Sequence, residues 1–240
     1  MTNFSVIPVP YTIDGHAYEG QLVFDASVTN PRPGLLLAPN WMGVTDGAVE
    51  LAKKAAGTEY VVLVADIYGT DVRPNGHEQA AAAMMPLKND RALLRKRMQA
   101  SLAVLQSQTH AGVAGDKLAV FGFCFGGCCA LELARDGAPV KAAVSFHGTL
   151  DTPNPDDAKH IQGKVLVLHG AADPLVPKEQ LPAFEAEMDA AGVDWQLVSY
   201  GGAVHSFTDP SADNLPMMKY NPTVSARAFH TMAHLLKEVL

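Results

Sequence analysis

Two runs, Val61-Val62-Leu63-Val64 and Val165-Leu166-Val167-Leu168, are apolar at every position, and they restrict the fold more than any other feature. A strand with one wet face alternates apolar and polar residues. A strand that is apolar throughout is covered on both faces, as in a parallel sheet between layers of helices. By this pattern strands are expected at 18–24, 34–39, 60–66, 117–123, 140–146, 164–169 and 195–200. Helices are expected at 46–56, 77–108, 125–135, 178–190 and 223–239, with Pro86 breaking or kinking the second into two pieces. Alternating strand and helix predicts one doubly wound α/β domain over 1–240, a mostly parallel central sheet flanked by helices on both faces. No repeat, low-complexity tract or linker interrupts it. Residues 68–76 and 207–221 read as longer loops, which in such domains often cover or line a site.

The 240 residues are 48% hydrophobic, enough for a core that stands without staples. The formal charge is -7, with Lys and Arg dispersed rather than striped, which argues against a nucleic-acid partner. No apolar run reaches the length of a membrane span. Residues 1–10 lack the charged start and apolar centre of a signal peptide. All three Cys fall within 124–129, too close together for a disulfide framework, as suits a reducing compartment. The expectation is a cytoplasmic monomer with neither a membrane nor a nucleic-acid partner.

Cys124 lies in Gly122-Phe123-Cys124-Phe125-Gly126-Gly127, directly after Leu118-Ala119-Val120-Phe121. This reads as a strand, a tight turn and the start of a helix, with a nucleophile at the turn. Such a turn holds its residue in a strained conformation, and bulky residues two positions either side would clash. Gly122 and Gly126 meet that need, and Gly127 lets the helix pack close to the sheet. In open α/β sheets, ligands bind beyond the carboxyl ends of the strands. Two more reactive groups follow strand candidates. Asp173 lies in Gly170-Ala171-Ala172-Asp173-Pro174, and His205 in Gly201-Gly202-Ala203-Val204-His205-Ser206-Phe207. The order nucleophile, acid, histidine is a known hydrolase order.

Proton bookkeeping assigns the roles. A free thiol titrates near about 8.5, so little of it is thiolate at neutral pH. His205 would take the thiol proton and later protonate the leaving group, while Asp173 would orient the imidazole. The developing oxyanion needs backbone donors. The Phe125 N–H supplies one, and the Trp41 N–H, in the early loop Asn40-Trp41-Met42-Gly43, is favoured for the other. Asp151 is a rival acid. Cys128 and Cys129 read as packing, and His147 and His169 as strand-end residues that shape the site. His230 and His234 have a spacing that can hold zinc, but no acidic or Cys partner sits at ligand spacing, so no metal is expected.

With these pieces the chain resembles the dienelactone hydrolases, or carboxymethylenebutenolidase-like proteins, a cysteine branch of the α/β-hydrolases. The matching pieces are Leu35-Leu36-Leu37-Ala38-Pro39-Asn40-Trp41-Met42-Gly43-Val44, Asp66-Ile67-Tyr68, the Cys124 turn, the Asp173 loop and His205-Ser206-Phe207, with Val204 where Gly is usual. The resemblance implies an α/β-hydrolase fold. It also implies hydrolysis of a small-molecule lactone or ester through an acyl-enzyme, with Cys124 as nucleophile, His205 as base, Asp173 as its partner and no cofactor.

Three departures bear on the substrate. Where well-known members carry a Glu in the early loop, this chain has Asn40. Where they carry two Arg that grip a substrate carboxylate, it has His77 and Asp209. Asn40, His77 and Asp209 are therefore the candidate substrate-pocket residues, and dienelactone itself is expected to be a poor substrate. Arg73 or Arg91 could supply a replacement charge. The competing readings are a catalytically weak ligand-binding protein on the same fold, a peroxide-sensing Cys124–Cys128 pair, and a transferase with an acceptor other than water.

Overall fold

The computed structural model describes residues 3–213 and 217–240; residues 214–216, within the expected 207–221 loop, lie outside it, as do 1–2. Its described residues form an eight-stranded, mostly parallel sheet with flanking helices. Two compact units make up the chain, Met1–Val120 and Phe121–Leu240.

The first unit opens with a hairpin of β1 (Phe4–Ile13) and β2 (His16–Asp25), paired antiparallel with Phe4 opposite Asp25 and Ile13 opposite His16. Asp14 and Gly15 form its two-residue turn, both at positive φ (50° and 81°), the conformation that matches the twist of the two strands. β3 (Arg32–Ala38) and β4 (Val61–Val64) pair in parallel, and β2 pairs antiparallel with β4, giving the order β1-β2-β4-β3. All four residues of β4 are buried, as their unbroken apolar character requires. The helices of this unit are α1 (Asp46–Ala56), α2 (His77–Asn89) and α3 (Arg91–Gln106). Thr45 caps α1 by accepting the Ala48 N–H.

Two expectations need correction here. β1 was absent from the sequence reading because Pro8 and Pro10 fall inside it; β1 is an edge strand, where alternate N–H groups have no partner strand and proline costs little. The expected division of 77–108 into two helices is present, but not at Pro86. α2 runs through Pro86, and the change of helix comes at Asp90, whose carboxylate accepts the Leu93 N–H at 2.9 Å and starts α3.

β5 (Val113–Phe123) carries the chain from the first unit into the second. The second unit contains α4 (Phe125–Arg135), β6 (Ala142–Phe146), β7 (Lys164–Gly170), α5 (Gln180–Ala191), β8 (Trp195–Tyr200) and α6 (Pro222–Val239). β6, β7 and β8 are parallel neighbours in that order. Leu131 of α4, Val165 and Val167 of β7, and Phe184 and Met188 of α5 form one buried cluster. Phe123, Phe146 and Phe229 form another, with ring centroids 4.7–6.0 Å apart. No helix among the described residues is long and apolar enough to cross a membrane.

Candidate active site

β5 ends at Phe123 and α4 begins at Phe125, so Cys124 alone makes the turn between them. Its backbone has φ 55° and ψ −119°, a region that non-glycine residues rarely occupy. The neighbouring glycines are needed for contact reasons. A Cβ at Gly122 would collide with the Gly126 carbonyl, and one at Gly127 would come within 2.5 Å of Ser145 Oγ. The Cys124 N–H is shared between Phe146 O at 3.0 Å and His147 Nδ1 at 3.2 Å. Cys124 is partly exposed, whereas Cys128 and Cys129 are buried in α4. Phe125 is the first residue of α4, so its N–H has no acceptor within the helix.

The loops after β7 and β8 are zipped together. Ala171 N–H donates to Tyr200 O at 3.0 Å and Ala172 N–H to Ala203 O at 2.9 Å. Gly170 is required at this approach, since a Cβ there would lie 2.7 Å from Ala203 O. The zip sets Asp173 against His205: Oδ2 meets Nδ1 at 2.8 Å, and both side chains are buried. The other carboxylate oxygen, Oδ1, accepts the Leu175 N–H at 2.8 Å. His205 is held from behind by Lys219, whose N–H donates to the His205 carbonyl at 3.0 Å.

The protonation of His205 follows from these neighbours. Burial, the largest single influence, pushes its pKa down; Asp173 and Cys124 together outweigh it and raise the pKa to about 10. Its Nε2 is buried without a formed hydrogen bond. The Cys124 side chain nevertheless lies near enough to the imidazole to help raise its pKa. His147 shows the opposite shift. Burial first, and the charge of His205 second, hold its pKa well below the ordinary 6.5. His169, at the end of β7, is also lowered, by burial against the opposing pull of Asp173.

The remaining predicted residues are engaged in local structure. In the first unit, Asn40 Oδ1 accepts the Met42 N–H at 3.0 Å and Asn40 O accepts the Gly43 N–H at 2.9 Å, so the amide side chain folds its own loop. Tyr68 OH donates to Trp41 O at 2.9 Å, and the Trp41 and His77 rings stand 5.2 Å apart. Asp66 accepts the N–H groups of Glu19, Tyr68 and Gly69, and Arg73 pairs with it through Nη2 and Oδ2 at 2.8 Å. Arg73 is thus engaged in shaping its own loop, and Arg91 is buried and partnered. In the second unit, the Asp209 carboxylate accepts the N–H and hydroxyl of Ser211 at 2.9 and 2.7 Å. Thr208 was missed by sequence reasoning. It is buried with its Oγ1 2.8 Å from His147 Nε2, and nothing in the sequence around it marks it out.

A strained Cys turn on a mostly parallel sheet, with an imidazole and a carboxylate from two later strand ends, defines the α/β-hydrolase class. The profile of the dienelactone hydrolase family matches residues 19–240, and the chain belongs to that family. Two similar solved structures are m3DLH, 41% identical with TM-score 0.93, and P91, a dienelactone hydrolase-like promiscuous phosphotriesterase from metagenomic libraries, 38% identical with TM-score 0.92. Each alignment covers 99% of both chains. A curated relative from Bradyrhizobium sp, named "Probable 2-oxo-3-(5-oxofuran-2-ylidene)propanoate lactonase", is 27% identical over 85% of this chain and 82% of its own.

Proposed function

We propose that the protein hydrolyses a small ester or lactone without a carboxylate, through an acyl-thioester on Cys124. The observation that carries this reading is the Asp173–His205 pair, with the imidazole raised to about 10 beside a cysteine in a strained turn. An imidazole that basic is suited to take the Cys124 thiol proton when the sulfur attacks. The thiolate attacks the carbonyl carbon, and the carbonyl π electrons move to oxygen. The Phe125 N–H faces that developing charge; the Trp41 N–H is assigned as second donor on sequence grounds alone. As the C–O bond breaks, the His205 proton passes to the leaving oxygen. Neutral His205 then takes a proton from water, the resulting hydroxide adds to the thioester, and the sulfur leaves as thiolate. The net change is one water consumed, with one acid and one alcohol formed.

The substrate class rests on charge. Asp209 stands four positions after His205, where carboxylate-binding relatives carry Arg, and Arg73 is paired with Asp66. The likeness to P91 makes a neutral phosphotriester the second substrate to assay. The test compares Cys124→Ala and Cys124→Ser with the parent on aryl esters, small lactones and a phosphotriester. Turnover should fall by more than about a thousandfold in the alanine variant. Parent-level turnover there sinks the reading in favour of a different nucleophile, and no turnover by the parent favours a ligand-binding protein.

A further inference from the structure

His147 touches both halves of the candidate site, and nothing in the hydrolytic cycle above uses it. It is the residue after β6, 2% exposed, with φ 41°, and its own N–H is anchored to Leu168 O at 2.9 Å. Nδ1 accepts the Cys124 N–H at 3.2 Å, and Nε2 lies 2.8 Å from Thr208 Oγ1. A ring nitrogen that accepts from an N–H carries no proton, so the single proton of neutral His147 is on Nε2 and is donated to Thr208. One imidazole therefore ties the cysteine turn to the turn after His205, where Ser206 also has a positive φ of 56°. The ring stands edge-on to His205, 5.1 Å between centroids at 67°, and edge-on to Phe207 at 5.0 Å.

We propose that His147 is a positioning residue, whose neutral, Nε2-protonated ring fixes the spacing between the Cys124 backbone and the loop that carries His205. This rests on the reading of Cys124 and His205 given above. A non-glycine residue at φ 55° and ψ −119° costs about 1–3 kcal/mol and persists only where its surroundings hold it there. The His147 acceptor is one such hold, and its other nitrogen sets where the His205 loop sits. A protonated His147 would aim an N–H at the Cys124 N–H, donor against donor, and would add a second cation beside His205. The ring meets the Cys124 backbone N–H, the Thr208 hydroxyl and the rings of His205, Phe123 and Phe207; His205 is the titratable side chain among them, with Asp173 behind it. Burial first, and the charge of His205 second, favour the neutral ring, and the Cys124 N–H needs an unprotonated Nδ1 to accept it.

The test uses His147→Phe, which keeps a ring and removes both nitrogens, and Thr208→Val, which keeps shape and removes the hydroxyl. Three readouts are taken: kcat and KM on a neutral aryl ester, the pH profile of Cys124 alkylation by iodoacetamide, and the melting temperature. His147→Phe should lose about 10- to 100-fold in kcat with KM within about threefold, because a misplacement of about 1 Å costs this much. Its alkylation profile should shift, and Thr208→Val should move the same way by less. If His147→Phe keeps the parent kcat and alkylation profile while Cys124→Ala is inactive, the positioning role is overturned and the hydrolase reading stands. If Cys124→Ala stays active, the hydrolase reading is what fails. Should His147→Phe not fold, side-chain nitrogen NMR of the parent protein decides. A bare Nδ1 with protonated Nε2 from about pH 6 to 9 supports the proposal, and a proton on Nδ1 ends it.

Discussion

His205 Nδ1 and Asp173 Oδ2 lie 2.8 Å apart, and the second carboxylate oxygen is fixed by the Leu175 N–H. Each carboxylate oxygen thus has a fixed partner, and the carboxylate is held against the imidazole. The pairing sets a His205 proton on Nδ1 and leaves Nε2 buried without a hydrogen bond.

A pH dependence follows, with a definite sign. The His205 pKa is raised, from about 6.5 in an unfolded chain to about 10 here. The stability this contributes is complete below about pH 6.5 and drains away as pH rises through about 10. The same deprotonation removes the imidazolium, so kcat/KM should show an alkaline limb near 10. Asp173→Asn takes away the main raising influence, and the limb should move by more than about one unit toward neutral pH. An unmoved limb would show that another group controls it.

Gly122→Ala is predicted to disable the site. Its Cβ would overlap the Gly126 backbone, which cannot retreat without unwinding the first turn of α4. Esterase activity should fall by more than about 100-fold, and the melting temperature should drop as well. An active and equally stable variant would mean that the turn has more room than its contacts imply.

How much of this was legible in the sequence depended on whether a residue acts through its neighbours in the chain or through space. Cys124, Asp173 and His205 each follow an apolar run, and a strand end puts them on one edge of a sheet. The Cys124–His147–Thr208 link joins residues 23 and 61 positions apart, and no local pattern records it. The Asp66–Arg73 pair was hidden in the same way, so Arg73 looked available as a substrate clamp. β1 was obscured by two prolines that only an edge strand tolerates, although Asp14-Gly15 marks its turn. Pro86 was given too much weight against a helix whose end is set by Asp90.

Arg135 anchors α4, the helix that follows Cys124. It is buried with two carboxylates, Glu132 at 3.0 Å on its own helix and Glu187 at 2.7 Å on α5, and it also donates to Leu150 O. Burial opposes its charge, but Glu187 and then Glu132 raise its pKa above the ordinary value. Arg135→Met would leave two carboxylates buried together, and urea denaturation should register a loss of about 3–5 kcal/mol. A loss below about 1 kcal/mol would show that water or a shift of α5 relieves the pair.

Substrate charge can be tested at Asp209. Reversal to Arg should raise kcat/KM on a carboxylate-bearing lactone relative to a neutral ester by about tenfold, or ~1.4 kcal/mol. The residue is half-exposed, and its pairing with Ser211 would be lost, so the neutral ester serves as the internal reference. Equal change on both substrates would place Asp209 away from the acyl group.

The acyl-enzyme itself is the most direct thing to measure. The protein is mixed with an activated ester, quenched in acid within one turnover and digested for mass spectrometry. The acyl mass should sit on the peptide that contains Cys124, be lost on treatment with hydroxylamine, and be absent from Cys124→Ala. Rapid turnover with no acyl mass on that peptide, or with the mass on another residue, would contradict the account.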